Sequence, residues 1–67
     1  MNKTEALDEI LSAHVRKQDS LSRVETEEGE WERKDDYWWR WVRIMHGMTT
    51  HRRAYRIYDN DEVQRIA

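Results

Sequence analysis

The segment YWWRWVRIMHG, residues 37–47, constrains the fold more than any other part of the chain. It contains three of the four tryptophans and two arginines, and it has no acidic residue. Consecutive side chains of a β-strand point to opposite faces, so a strand would place Trp38 and Trp39 on opposite sides of a sheet. In a helix, Trp38 and Trp41 would share an apolar face, with Trp39 at its flank. In either case Trp39 is the tryptophan we expect at an interface.

The residue types of this segment favour a strand, since Tyr, Trp, Val and Ile are strand formers. One strand face would carry Tyr37, Trp39, Trp41, Arg43 and Met45, and the other Trp38, Arg40, Val42 and Ile44. His46 and Gly47 would then turn the chain into a second strand, THRRAYRIYD. The alternative is a helix capped by Asp35. That alternative gives an all-α protein with helices near 4–18, 35–46 and 51–66.

The N-terminal segment predicts an amphipathic helix over residues 4–18. Its apolar face has the i, i+3, i+4, i+7 and i+8 spacing of a helix and comprises Leu7, Ile10, Leu11, His14 and Val15. Asn2 and Glu5 have the spacing of a capping box, and Thr4 is an alternative cap.

The segments that flank the aromatic region have weaker patterns. Residues 23–33 alternate weakly, which predicts a ribbon that turns at Glu28-Gly29 and brings Trp31 opposite Thr26. At the end of the chain, Asp59 and Glu62 have capping-box spacing, which predicts a short C-terminal helix.

The size of the chain limits its core. Its 67 residues make a single small domain, 1–67, with 39% charged residues and no cysteine. Disulfides and thiolate zinc sites are therefore excluded as sources of stability, and self-association as a homodimer or other homo-oligomer becomes attractive. We expect an α+β fold with an N-terminal helix, a small antiparallel sheet of three or four strands and a short C-terminal helix.

No part of the sequence suggests a membrane or an export signal. The first twenty residues lack a continuous apolar run, and no stretch approaches the roughly 18 apolar residues of a membrane span. We therefore expect a cytoplasmic protein that does not bind membranes.

Charge is divided sharply along the chain. Residues 25–36 carry seven acidic and two basic residues, whereas residues 37–58 carry five arginines and no acidic residue. These blocks could pair with each other, or the acidic block could mimic phosphate toward a basic partner. The predicted acidic patch consists of Glu25, Glu27, Glu28, Glu30 and Glu32.

Composition favours protein binding as the function. Trp, Tyr and Arg are enriched at interface hot spots, and the chain has four Trp, three Tyr and nine Arg. We expect a non-enzymatic module of the adaptor or inhibitor type, a size class that includes phage-encoded and mobile-element-encoded inhibitors. The predicted partner-binding residues are Trp39, Trp41, Arg40, Arg43, Arg52, Arg53, Tyr55 and Arg56.

A nucleic-acid-binding module that uses the same residues is the alternative. Arginines can pair with phosphates and aromatic rings can stack on unpaired bases. The acidic net charge of −2 opposes this alternative. A helix-turn-helix around Gly47 is rejected, because His46, Arg53 and Arg56 would fall at its buried positions.

Metal and catalytic chemistry find little support. His46 and His51 lack a second ligand pair, and helix capping accounts for the acidic residues near Asp59. Neither a phosphate-binding glycine loop nor a recognisable nucleophile motif is present. We expect no metal, no cofactor and no enzymatic activity.

Overall fold

The computed structural model describes residues 2–67, which fold into one helix and an antiparallel sheet of five strands. The elements are α1 (Lys3–Gln18), β1 (Ser22–Thr26), β2 (Glu32–Lys34), β3 (Tyr37–His46), β4 (Thr49–Tyr58) and β5 (Val63–Arg65). The strands are arranged in the order β1-β3-β4-β5, and β2 also pairs with β3. The predicted α+β class is confirmed, although the sheet has more strands than the three or four expected.

Helix α1 follows its sequence pattern closely. Asn2 is the N-cap, and its side-chain oxygen accepts a hydrogen bond from the backbone N–H of Glu5 at 2.9 Å. Arg16 and Lys17 lie in the last turn, where cations interact favourably with the helix dipole. Leu7, Leu11 and Val15 are buried, as their spacing predicts.

The aromatic segment forms β3, the strand at the centre of the sheet. Strand β4 pairs with it along its whole length, from Tyr37 opposite Tyr58 to His46 opposite Thr49. The predicted hairpin is therefore confirmed, although its turn is Gly47-Met48 and not His46-Gly47. The helices expected near 35–46 and 51–66 in the all-α alternative are wrong. Gly47 has a φ of +59° in the two-residue turn, a conformation that glycine adopts without steric cost.

The core lies between α1 and one face of the sheet. It contains the three buried residues of the helix together with Trp31, Val42, Ile44, Tyr55 and Ile57. Trp38, Ile10, Val24 and Val63 are partly buried at its border. Trp38 thus belongs to the core side of β3, and Trp39 lies on the opposite face, the separation that the strand alternation predicted.

The hairpin expected at Glu28-Gly29 is wrong, because β1 and β2 pair with β3 and not with each other. Thr26 lies opposite Val42, and Glu32 lies opposite Trp39. Only Arg40 and Trp41 of β3 lie between these two pairs, whereas five residues, 27–31, connect β1 to β2. The connecting segment must therefore loop outward. Burial of Trp31 in the core makes this arrangement favourable, since an aromatic side chain contributes a large apolar area.

The turn between β2 and β3 is formed by Asp35 and Asp36. Asp35 has a φ of +46°, which aspartate tolerates better than most residues. Nearby, Arg33 donates hydrogen bonds to both carboxylate oxygens of Asp59, at 2.6 and 3.0 Å. These bonds hold the pKa of Asp59 below its usual value and connect β2 to the end of β4.

The predicted C-terminal helix is wrong, since Asp59 and Glu62 belong to a turn that leads into β5. Asn60 accepts a hydrogen bond from the N–H of Glu62 through its side chain, and Asp61 has a φ of +67°. An isolated helix of two turns is marginally stable in water. Pairing with β4 instead satisfies backbone groups along an exposed edge and places Val63 beside Ile57.

The turn geometry generates a stability prediction. We expect Gly47→Ala to lower the free energy of unfolding by about 1 kcal/mol, because an L-residue is strained at this φ. A Cβ at Gly47 would meet no atom within 4 Å, so the cost arises from the backbone alone. Urea unfolding measures the change.

The neighbouring Met48 provides the control. Its side chain is fully exposed, so Met48→Ala should change the stability by less than about 0.5 kcal/mol. Equal stability of the Gly47→Ala protein and the unmodified protein would contradict the strain argument.

Candidate binding surface

One face of the sheet is covered by α1, and no helix among residues 2–67 covers the other, which we call the open face. Strand alternation assigns to the open face the odd-numbered residues of β3 and the even-numbered residues of β4. These residues are Tyr37, Trp39, Trp41, Arg43 and Met45 on β3, with Thr50, Arg52, Ala54, Arg56 and Tyr58 on β4. The open face is thus rich in aromatic and arginine side chains.

Arginines and aromatic rings contact each other across the open face. The guanidinium carbon of Arg52 lies 4.1 Å from the ring centroid of Trp41. The guanidinium carbon of Arg56 lies 5.3 Å from the ring centroid of Tyr37 and 5.3 Å from that of Tyr58. Arg56 also donates two hydrogen bonds to the side-chain oxygen of Gln64, at 2.7 and 3.1 Å. These contacts restrict the arginine side chains before any partner binds.

Five of the predicted partner-binding residues lie on the open face. They are Trp39, Trp41, Arg43, Arg52 and Arg56. Trp39 and Trp41 are partly exposed, and Arg43 is exposed.

The other three predicted partner-binding residues lie on the core side of the sheet. Tyr55 is buried in the core, where His14 contacts it edge-on, with ring centroids 6.3 Å apart. Arg53 donates a hydrogen bond to the carbonyl of Arg52. The two-residue period of the strands is sufficient to separate these side chains from the open face. The same period assigns to that face Tyr37 and Tyr58, which were not among the predicted partner-binding residues.

Arg40, the third residue on the core side, is buried and donates hydrogen bonds to backbone carbonyls. Only 5% of its side chain is exposed. Its Nη2 donates to the carbonyl of Glu27 at 2.6 Å, and its Nε donates to the carbonyl of Trp41 at 3.2 Å. Its Nη1 lies 3.9 Å from a carboxylate oxygen of Asp8. Because these groups occupy its guanidinium, Arg40 is not part of the exposed surface.

Asp8 and Trp31 complete the environment of Arg40. Asp8 accepts a hydrogen bond from the indole N–H of Trp31 at 2.8 Å. The guanidinium carbon of Arg40 lies 5.9 Å from the Trp31 ring centroid. Helix α1, the 27–31 loop and β3 are thus linked through one carboxylate, one indole and one guanidinium.

The predicted acidic patch borders the open face. Glu25 lies opposite Arg43 in the pairing of β1 with β3, and a carboxylate oxygen of Glu27 lies 3.0 Å from Nε of Arg52. Within residues 2–67, Glu27 is the one member of the patch that forms an ion pair. The acidic and basic blocks therefore neutralise each other only in part.

A cleft of about 200 Å³ lies where the acidic patch meets the open face. We call it the acidic cleft. It is lined by residues 27–30, Glu32, Trp39, Arg40, Trp41 and Arg52. Four glutamates therefore surround two tryptophans and two arginines.

Elsewhere, His46 and Asp19 form a small polar cluster at the far end of β3. Nδ1 of His46 lies 2.8 Å from the Asp19 carboxylate, which also accepts hydrogen bonds from the N–H of Leu21 and the hydroxyl of Ser22. The Leu21 N–H, Ser22 and His46 lower the pKa of Asp19. Residues 2–67 contain no group of three or more His, Cys, Asp or Glu side chains placed to hold a metal ion.

Comparison of the chain with family models, with curated proteins and with solved structures finds no match in any of the three sets. No helix within residues 2–67 has the length and apolar character that crossing a membrane requires.

The environment of Arg40 generates the second prediction. We expect Arg40→Met to lower the free energy of unfolding by about 2 kcal/mol, because the carbonyls of Glu27 and Trp41 lose their donor and Asp8 loses its cationic partner. The amide hydrogens of residues 27–31 should also exchange faster. Urea unfolding and hydrogen exchange measure the two effects.

Arg43→Met is the matched control, since it removes the same group from an exposed position on the same strand. Its effect should stay within about 0.5 kcal/mol. Equal losses of stability in the two variants would show that Arg40 does not hold the loop.

Proposed function

We propose that this chain is a small non-enzymatic protein-binding module that docks through its open face. The observation that carries the proposal is the composition of that face, where Trp39 and Trp41 lie beside Arg43 and Arg52 without a covering helix in the described residues. Tryptophan and arginine are the residues that most often dominate binding energy at protein interfaces.

Preorganisation supports this proposal. Binding normally costs about 0.5–1.5 kcal/mol for each long side chain that becomes immobilised. Arg56 of the open face is already held by Gln64 and two tyrosine rings. Less rotamer freedom therefore remains to be lost when a partner binds.

The size of the molecule is compatible with an interface of ordinary area. A standard interface buries about 800 Å² on each partner, which is about a sixth of the 4828 Å² surface of this chain. A second copy of the chain is one such partner, and an adaptor or inhibitor role toward another protein is the general case. Sedimentation equilibrium at high concentration distinguishes self-association from a monomer.

Single-stranded nucleic acid is the second candidate. Aromatic rings on neighbouring strands of an antiparallel sheet are the arrangement on which single-stranded bases stack. Tyr37, Trp39 and Tyr58 supply such rings. The glutamates beside them repel a polyanion, so we favour a protein partner.

The third prediction concerns the open face directly. The chain is used to capture proteins from the cell that encodes it, and the interaction is then reconstituted with the purified partner. We expect Trp39→Ala combined with Arg43→Ala to raise the dissociation constant about 30-fold or more, because loss of one hot spot alone has that effect.

The control variant combines Leu21→Ala with Arg65→Ala, two exposed positions outside the open face. It removes one apolar and one arginine side chain and should leave the dissociation constant unchanged. Equal binding by both folded variants would refute the assignment of the interface. Binding of single-stranded DNA or RNA that weakens steeply with salt would favour the second candidate.

A further inference from the structure

The acidic cleft has an aromatic floor and a wall of carboxylates. Trp39 and Trp41 are alternate residues of β3, so their side chains follow each other along the open face. Glu32 lies directly opposite Trp39 in the pairing of β2 with β3, and the 27–30 loop forms the rest of the wall. Aromatic rings and carboxylates both attract cations, the former through their quadrupole.

The charge balance of the cleft is negative. Of its two arginines, Arg40 is buried and bound to backbone carbonyls, and Arg52 is paired with Glu27. Within residues 2–67, the carboxylates of Glu28, Glu30 and Glu32 have no cationic partner, and all three residues are exposed. An anionic ligand would be repelled here, whereas a cation would be attracted.

Arg52 shows which chemical group the cleft accommodates. Its guanidinium lies 4.1 Å from the centroid of Trp41, and its Nε lies 3.0 Å from the Glu27 carboxylate, while 58% of the side chain remains exposed. The chain's own guanidinium thus lies between one ring and one carboxylate at the edge of the cleft. Trp39 and the other three glutamates remain for a second cation.

We propose that the acidic cleft binds the guanidinium or ammonium group of an arginine or lysine side chain from a basic segment of the protein partner. This inference rests on the proposed protein-binding function and specifies the chemistry of the partner. A typical small-molecule pocket has a volume of about 300–1,000 Å³, so the 200 Å³ of this cleft suits one long side chain. Arg52 competes with that side chain for Trp41 and Glu27.

The fourth prediction uses a peptide as the probe. The capped pentapeptide acetyl-Gly-Gly-Arg-Gly-Gly-amide is titrated against the folded protein while the indole N–H resonances are followed by NMR. We expect the Trp39 and Trp41 resonances to shift and saturate, with a dissociation constant of roughly 1–10 mM. The Trp31 resonance should remain unchanged, because its indole N–H is bound to Asp8 in the core.

Two peptides separate charge from shape. The lysine analogue should bind through its ammonium group, and the citrulline analogue, which has the shape of arginine without its charge, should cause no saturable shift. Equal binding of the citrulline peptide would overturn the proposal, as would saturable shifts of the same indoles with a single-stranded DNA oligonucleotide.

Two pairs of variants test the residues. Glu28→Gln, Glu30→Gln and Glu32→Gln combined should weaken the arginine peptide about fivefold or more. The control combination Glu5→Gln, Glu9→Gln and Glu62→Gln, which removes the same charge elsewhere, should have little effect. Equal weakening by both combinations would mean that net charge alone attracts the peptide and would overturn the site.

Arg52→Gln provides the sharpest test, because it removes the internal competitor. It should tighten binding of the arginine peptide about two- to fivefold, the gain expected from one ring that becomes free. Arg53→Gln removes the same charge from the opposite face and should change binding little. Unchanged or weaker binding in Arg52→Gln would show that Arg52 does not compete for the cleft.

The proposed function and this inference can fail separately. If Trp39→Ala with Arg43→Ala abolishes partner binding but none of the peptides binds, the open face is an interface and the cleft assignment is wrong. If the arginine peptide binds as expected but the double variant retains full partner binding, the proposed docking surface is wrong.

Discussion

The guanidinium of Arg40 is the group on which the arrangement of the binding surface depends. It is buried beneath the 27–31 loop, where it donates to the carbonyl of Glu27 and lies close to Asp8 of the helix. A buried charge is costly unless it is paired and hydrogen-bonded. The loop is therefore held where the carbonyl of Glu27 accepts a hydrogen bond from the Arg40 guanidinium. Trp31 then enters the core, and the glutamates on either side of it remain on the rim of the cleft.

Those parts of the fold that depend on local chemistry could be predicted from the sequence. Asn2 caps α1 through a local interaction, in which its side-chain oxygen accepts a hydrogen bond from the N–H three residues later. This interaction does not depend on the tertiary structure. The two faces of β3 follow from the strand period alone, once residue types favour a strand. The same period separated Trp38 from Trp39, which is the distinction between core and surface in this strand.

The parts that were predicted wrongly depend on long-range pairing. Residues 23–33 have the pattern of a ribbon, but β3 offers a longer edge and a core for Trp31, so both halves pair with β3. Asp59 and Glu62 have the spacing of a helix cap, but β4 has an open edge that the last residues can pair with. Arg40 was assigned to the partner-binding residues on composition, and its burial depends on long-range contacts with the carbonyl of Glu27 and the carboxylate of Asp8.

The division of charge along the chain now has a structural interpretation. Opposite blocks adjacent in sequence could neutralise each other, but antiparallel pairing directs each side chain to a fixed face and limits which charges can meet. Glu27 reaches Arg52, and Arg33 of the acidic block pairs instead with Asp59. The three glutamates of the cleft wall, Glu28, Glu30 and Glu32, therefore have no cationic partner within residues 2–67 and lie beside partly exposed indole rings. Unpaired carboxylates contribute little to the stability of the isolated chain, but together with the indole rings they favour binding of a cationic side chain of a partner.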